Sequence, residues 1–230
     1  MSGTYVTVEG KDGAFKAYVA EPATTPAAAV VVIQEIFGVN AVMRQLTDEF
    51  AGRGYLAICP DLFWRLEPGI ELTDQTKVEW DDALAYMKRF DVDKGVEDIA
   101  ATIDFIRADP RSTGKVGAVG YCLGGRLAFL TAARTDADAA VGYYGVGLES
   151  LLGETIAAPL LLHIAGRDSF SSSDAETRVV TALKDNPLVT LAIYPDRDHA
   201  FARPGGEHYD AADAALANQR TFDHLAAALR

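Results

Sequence analysis

Cysteine is nearly absent from this chain. Cys59 and Cys122 are the only two in 230 residues, and neither belongs to a C-x-x-C pair, which excludes a disulfide scaffold or a thioredoxin-type redox motif. Positive charge is also scarce: 21 Lys and Arg face 33 Asp and Glu, for a net charge of −12. That balance argues against nucleic acid or an anionic membrane surface as partner, and any anionic substrate needs a local cationic handle. No apolar run reaches the length of a bilayer span. The N-terminal residues show no basic region followed by an apolar core, so the expectation is a cytoplasmic protein. The four histidines lack the spacing of a metal pair, and neither metal nor cofactor is expected. Low-complexity linkers and internal repeats are missing too, which leaves a single domain over 1–230, with residues 63–90 as a lid of loop and helix.

What is present is alternation of strand-like and helix-like stretches, the mark of a mostly parallel sheet with helices on both faces. Gly13–Val19 alternates and reads as an edge strand, and Ala28–Ile33 as a strand buried on both faces. A helix follows at about Ala41–Arg53, then a strand at Tyr55–Cys59. Val96, Ile99, Ile103 and Ile106 recur at helical spacing up to Asp109-Pro110. Later strands fall at Lys115 onward, Ala139–Tyr144, Pro159–Ala165 and Leu188–Tyr194. Helices are expected at Asp174–Lys184 and His208–Leu229.

The strand beginning at Lys115 runs into Gly120-Tyr121-Cys122-Leu123-Gly124-Gly125 and then a good helix former, Arg126-Leu127-Ala128-Phe129-Leu130. This G-x-C-x-G turn has the form of a nucleophile elbow with cysteine in place of serine. Small neighbours accommodate a strained turn, and the helix that follows aims N–H groups and its positive dipole end at the sulfur. That arrangement favours a thiolate and supplies an oxyanion donor.

Two further residues follow later strands: Asp168 in Gly166-Arg167-Asp168, and His199 in Asp198-His199-Ala200-Phe201. Nucleophile, acid, histidine is the chain order of the α/β-hydrolase fold, and side chains at the carboxyl ends of parallel strands converge. Cys122 would attack a carbonyl carbon, His199 would take the thiol proton and later activate water, and Asp168 would fix the imidazole tautomer. Taken singly, each has a plainer reading. A cysteine after a strand is more often a small core residue, as Cys59 is read here; Asp168 could be a turn residue and His199 a surface histidine. The ordered set of three, with one member on an elbow, favours function. His163, inside an apolar strand, reads as a hydrogen-bonded core residue, and His208 and His224 as solvated helix residues. Gln34–Asn40 follows the first buried strand, where this fold draws its second oxyanion N–H, assigned to Ile36 beside Leu123. Glu35 has two readings of equal weight, a catalytic carboxylate or a first-turn acid favourable to the dipole of the helix at Ala41.

Five segments together resemble the dienelactone hydrolase (carboxymethylenebutenolidase) family: Gln34-Glu35-Ile36-Phe37-Gly38-Val39-Asn40, Cys59-Pro60-Asp61-Leu62, Gly120–Gly125, Val141-Gly142-Tyr143-Tyr144-Gly145-Val146-Gly147 and His199-Ala200-Phe201-Ala202-Arg203. The resemblance implies a Cys122, Asp168, His199 triad and a Glu35 that pairs with the resting thiol until substrate frees it. It also implies a substrate that is an unsaturated lactone bearing a carboxylate, whose enolate leaving group suits a thiolate nucleophile. Arg203 matches a carboxylate-binding arginine. Around the substrate the chain departs from the pattern: a second arginine falls on Trp80, a tyrosine on Leu84, a tryptophan on Met87, and a serine beside the histidine on Ala200. The candidate substrate-binding set is Arg203, Phe37, Tyr143, Tyr144, Trp80, Leu84 and Met87. Losing one of two arginines weakens carboxylate binding or shifts preference to a less anionic ester or lactone. The expected partner is that small molecule, acting on a monomer. The competing readings are a carboxylesterase for less anionic esters, a non-catalytic binding module on the same fold, and a nucleotide-binding glycine turn. The last is weak, because Gly117-Ala118-Val119-Gly120 lacks the G-x-G-x-x-G spacing.

Overall fold

The computed structural model describes residues 3–230. Its strands form one eight-stranded sheet in the order β1-β2-β4-β3-β5-β6-β7-β8, with helices packed against it: a mostly parallel α/β fold of the α/β-hydrolase type. The strands are β1 (Thr4–Gly10), β2 (Gly13–Ala20), β3 (Ala27–Ile33), β4 (Leu56–Pro60), β5 (Ser112–Tyr121), β6 (Ala139–Tyr143), β7 (Leu160–Ala165) and β8 (Val189–Tyr194). The helices are α1 (Ala41–Gly52), α2 (Lys77–Arg89), α3 (Val92–Arg107), α4 (Leu123–Arg134), α5 (Ser173–Leu183) and α6 (Ala211–Ala228). The chain divides into two compact units, one ending at Ala118 and the other beginning at Val119.

In the N-terminal unit, β1 and β2 form a hairpin whose register closes at Gly10 opposite Gly13. β2 runs antiparallel to β4, which runs parallel to β3. β1, not β2, is therefore the outer strand, which corrects the edge placement of Gly13–Val19. Its pattern hides this, since only Val8 of β1 is buried. By contrast β3 is buried along almost its whole length, as expected for Val and Ile covered on both faces. Each helix here starts on a side-chain cap: Asn40 Oδ1 accepts from Met43 N at 3.1 Å, Thr76 Oγ1 from Glu79 N at 3.2 Å, and Asp91 Oδ1 from Lys94 N at 3.1 Å. Asn40 also reaches the irregular stretch after β4, donating from Nδ2 to Leu72 O at 2.8 Å.

In the C-terminal unit, β6, β7 and β8 are parallel and in register. α4 and α6 pack on β6 and β7, and α5 on β8. Helix α6 begins at Ala211 on an Asp210 cap, not at His208. His208 is thus a loop residue, exposed as expected, whereas His224 on α6 is half-buried, with Nε2 at 3.4 Å from Pro159 O. His163 is the core residue foreseen. Nδ1 lies 3.0 Å from Tyr194 Oη and Nε2 3.0 Å from Thr221 Oγ1, and burial pushes its pKa down to about 3, so the ring is neutral. Thr221 Oγ1 also bonds Tyr143 Oη at 2.6 Å. Replacing Thr221 by the isosteric valine leaves two buried polar groups short of a partner. Urea unfolding of Thr221→Val should show a loss of about 1–3 kcal/mol, and an unchanged midpoint would refute this account of the network.

Candidate active site

At the end of β5 the chain turns through Cys122 with φ 56° and ψ −114°, a left-handed conformation that costs a non-glycine residue about 1–3 kcal/mol. Close packing holds it there. Cys122 N donates to Tyr143 O at 3.1 Å, and Arg126 N to Cys122 O at 3.2 Å. A Cβ on Gly120 would lie 1.9 Å from Gly124 O, and one on Gly125 2.4 Å from Tyr143 O. Both glycines are therefore steric requirements of the elbow. Leu123 is the first residue of α4, where N–H groups have no intrahelical acceptor and point toward the Cys122 side.

Asp168 and His199 sit on the loops after β7 and β8, both buried. His199 Nδ1 lies 2.9 and 3.1 Å from the two carboxylate oxygens of Asp168. That leaves Nε2 for Cys122, whose side chain hydrogen-bonds the ring. Asp168 Oδ1 additionally accepts from Phe170 N at 2.9 Å. Burial alone would push the His199 ring toward neutrality. The attraction of the Cys122 sulfur, reinforced by the Asp168 hydrogen bond, outweighs it and raises the ring's pKa to about 10. The three residues singled out from sequence thus meet as a hydrogen-bonded chain.

The walls of this unit are aromatic. Tyr144, at φ 38°, sets its ring 5.1 Å from that of His199, and Phe170, half exposed, lies 4.8 Å from it on another side. Phe170 was not foreseen; its only signal is a large apolar residue two positions after the acid. Tyr143 does not share this place. It is fully buried, stacks on Tyr121 at 4.7 Å, and commits its hydroxyl to Thr221 and to Asn218 Oδ1 at 2.9 Å. It serves the core beneath the site. Arg203 lies in the turn after His199, its backbone N donating to Ala200 O at 3.0 Å. Its guanidinium rests over Gly206, where a Cβ would stand 3.0 Å from Arg203 Nε.

The other candidates belong to the N-terminal unit. Glu35 and Ile36 are buried between β3 and α1. The first turn of α1 holds no acid, and its cap is Asn40, so the dipole reading of Glu35 fails. Phe37 and Trp80 meet with ring centroids 5.5 Å apart. Met87 is half-buried on α2, and Leu84 is 40% exposed. Residues 63–90, expected to form a lid, comprise an irregular stretch after β4, tied down by a bridge between Gly38 and Glu71, followed by α2. Cys59 is fully buried and its thiol is pushed far up by burial, an inert core group. No group of three His, Cys, Asp or Glu among the described residues could hold a metal ion.

The profile of the dienelactone hydrolase family matches residues 15–229. The chain belongs to the dienelactone hydrolase family. A provisionally named carboxymethylenebutenolidase of Azospirillum brasilense is 52% identical over 218 residues, covering 92% of this chain and 93% of its own. The carboxymethylenebutenolidase of Pseudomonas putida is 43% identical over 224 residues, covering 96% and 95%. Among solved structures, a provisionally named dienelactone hydrolase of Klebsiella pneumoniae superposes with a TM-score of 0.84 at 26% identity, covering 97% of this chain and 98% of that one.

In this dienelactone hydrolase family member the charged His199 ring carries a stability signature. Its pKa is raised from 6.5 to about 10, so its contribution is whole below pH 6.5 and is lost as pH climbs through about 10. The difference in unfolding free energy between wild type and His199→Gln should therefore shrink between pH 6.5 and pH 10.5 in urea titrations. A constant difference would show that the ring gains no proton affinity on folding.

Proposed function

We propose that the chain hydrolyses a small lactone or activated ester through a thioacyl intermediate on Cys122. The observation that carries this reading is the hydrogen-bonded series Asp168, His199, Cys122 built on a strained elbow. With the thiol proton on His199, the Cys122 sulfur attacks the acyl carbon, and the carbonyl π electrons move to oxygen. Leu123 N–H, at the start of α4, is the donor for that oxyanion, with Ile36 N–H as the second by the family's pattern. Collapse of the tetrahedral adduct expels the ring oxygen, which takes the proton from His199. For an enol lactone the leaving group is an enolate, a far better leaving group than a simple alkoxide, so its departure can compete with return of the thiolate. Water, deprotonated by His199, then adds to the thioester, and the second collapse releases the acid and restores the Cys122–His199 pair. Asp168 holds Nδ1–H throughout, which fixes the tautomer and stabilises the imidazolium. Glu35 enters by family resemblance, as the carboxylate partner of the resting thiol; its burial supports a role inside the protein over one at the surface.

The proposed substrate is a dienelactone-like unsaturated lactone, met by a monomer without a cofactor. Arg203 is its cationic handle. One observation favours a second reading, a carboxylesterase for less anionic esters. At the position where the family pattern places another arginine, the chain presents Trp80 packed against Phe37. An aromatic pair offers apolar area and no charge to a carboxylate.

Two outcomes are expected. Cys122→Ala should lower kcat for a dienelactone and for aryl esters by about 10³-fold or more, and equal activity in wild type and variant would remove the mechanism and favour a binding module. Arg203→Ala should raise KM for carboxylate-bearing substrates while leaving neutral esters unchanged; a parallel rise for both would deny it the role of anion handle.

A further inference from the structure

The residue immediately before His199 does more than extend a loop. One oxygen of Asp198, Oδ1, accepts two backbone N–H groups: Ser169 N at 2.7 Å and His199 N at 2.6 Å. Ser169 follows Asp168, and His199 is the other member of the acid–histidine pair. A single carboxylate oxygen thus ties the loop after β7 to the loop after β8 at the two residues where the pair must meet. The imidazole–carboxylate contact closes the circuit from the other side.

The surroundings support that use of Asp198. Burial would push its carboxyl up, yet the N–H groups of Ser169 and His199 outweigh this and hold it below the ordinary carboxylate range. On its outer side Oδ2 faces His208 Nε2 at 3.8 Å, and the same ring's Nδ1 lies 3.1 Å from His199 O. His208 therefore braces both Asp198 and the His199 backbone. The nearby arginines are engaged elsewhere, Arg167 with Asp196, and Arg197 with Asp210 and Asp213. Ala200, next in the chain, has φ 62°, so the backbone leaving His199 sits in a costly conformation that something must hold.

We propose that Asp198 is a positioning residue for hydrolysis, a clamp that sets the Asp168–His199 geometry by holding Ser169 N and His199 N on one oxygen. This rests on the Cys122–His199–Asp168 reading. It predicts a defect in turnover with substrate binding spared, because misplacing a proton-transfer group by about 1 Å can cost ~10²-fold. The clamp needs an acceptor oxygen more than a charge, so asparagine should serve in its place.

The test uses Asp198→Ala and Asp198→Asn in the full chain, assayed on an aryl acetate well below each variant's melting temperature. Asp198→Ala should lower kcat ~10- to 100-fold at unchanged KM, and Asp198→Asn should restore most of the loss. Wild-type kcat in Asp198→Ala, or equal impairment in both variants, would overturn the clamp. A second readout does not depend on turnover: the downfield proton resonance of His199 Nδ1–H, assigned by its loss in His199→Gln. It should shift or broaden in Asp198→Ala and stay in Asp198→Asn; an unmoved resonance in Asp198→Ala would also overturn the clamp. If His199→Gln retains full activity, the catalytic reading fails, and the resonance alone still decides whether Asp198 positions the ring.

Discussion

Everything at the candidate site depends on one backbone conformation, Cys122 at φ 56°. A residue held there projects its side chain off the sheet instead of into it, and the cost must be met by the surrounding structure. The structure meets it with contact. Gly120 lets the carbonyl of Gly124 approach, Gly125 lets α4 approach Tyr143, and the amide of Cys122 is bonded across to β6. The order of glycines around the cysteine is thus a packing statement first. Its chemical value follows, because the same close approach puts the N-terminus of α4 behind the sulfur.

Two other non-glycine residues among those described have positive φ, Tyr144 and Ala200, and both adjoin His199. Tyr144 faces it with its ring and Ala200 follows it in the chain. Strain is therefore gathered at the ends of β5, β6 and in the loop after β8. Below it β6 and β7 are buried along their whole length and run parallel with β8, and such close packing is stiff enough to hold three costly conformations in register. Electrostatics follow the same division. His163 and His199 are both buried, yet one is pushed to about 3 and the other to about 10. The first is bonded to neutral hydroxyls, so desolvation decides, with repulsion from Arg220 adding to it. An acid and a thiol flank the second, so attraction to negative charge decides. A proton is thus excluded from the core and held at His199.

The elbow, the order of acid and histidine, and the buried strands were legible because each leaves a local pattern: glycines around cysteine, or a run of Val and Ile. The features that were not legible share a different property. β1 was missed because an outer strand with one buried residue has almost no hydrophobic periodicity to read. Tyr143 could not be told from Tyr144, since adjacent strand-end residues point oppositely and only the backbone reversal at Tyr144 shows which turns toward His199. His208 was placed on a helix because its alanine-rich successors extend the pattern backward past the Asp210 cap. Phe170 and Asp198 act through contacts between separate loops, which no spacing along one segment encodes.

The same distinction separates the strand-end groups from the residues of α2. Proton transfer needs a few groups at strand ends, and strand ends are dictated by the fold. Helix α2 buries a single residue, Ala83, yet its Trp80 and Tyr86 rings still pack against the buried Phe37 and Phe63. Trp80 illustrates the consequence. An aromatic ring at this position packs against Phe37, with ring centroids 5.5 Å apart. On the proposed reading, a ring in place of a cation there also leaves an anionic substrate with less attraction in a chain of net charge −12. On the proposed reading, substitutions on this helix would change ester preference while Cys122, Asp168 and His199 keep their hydrogen-bonded geometry.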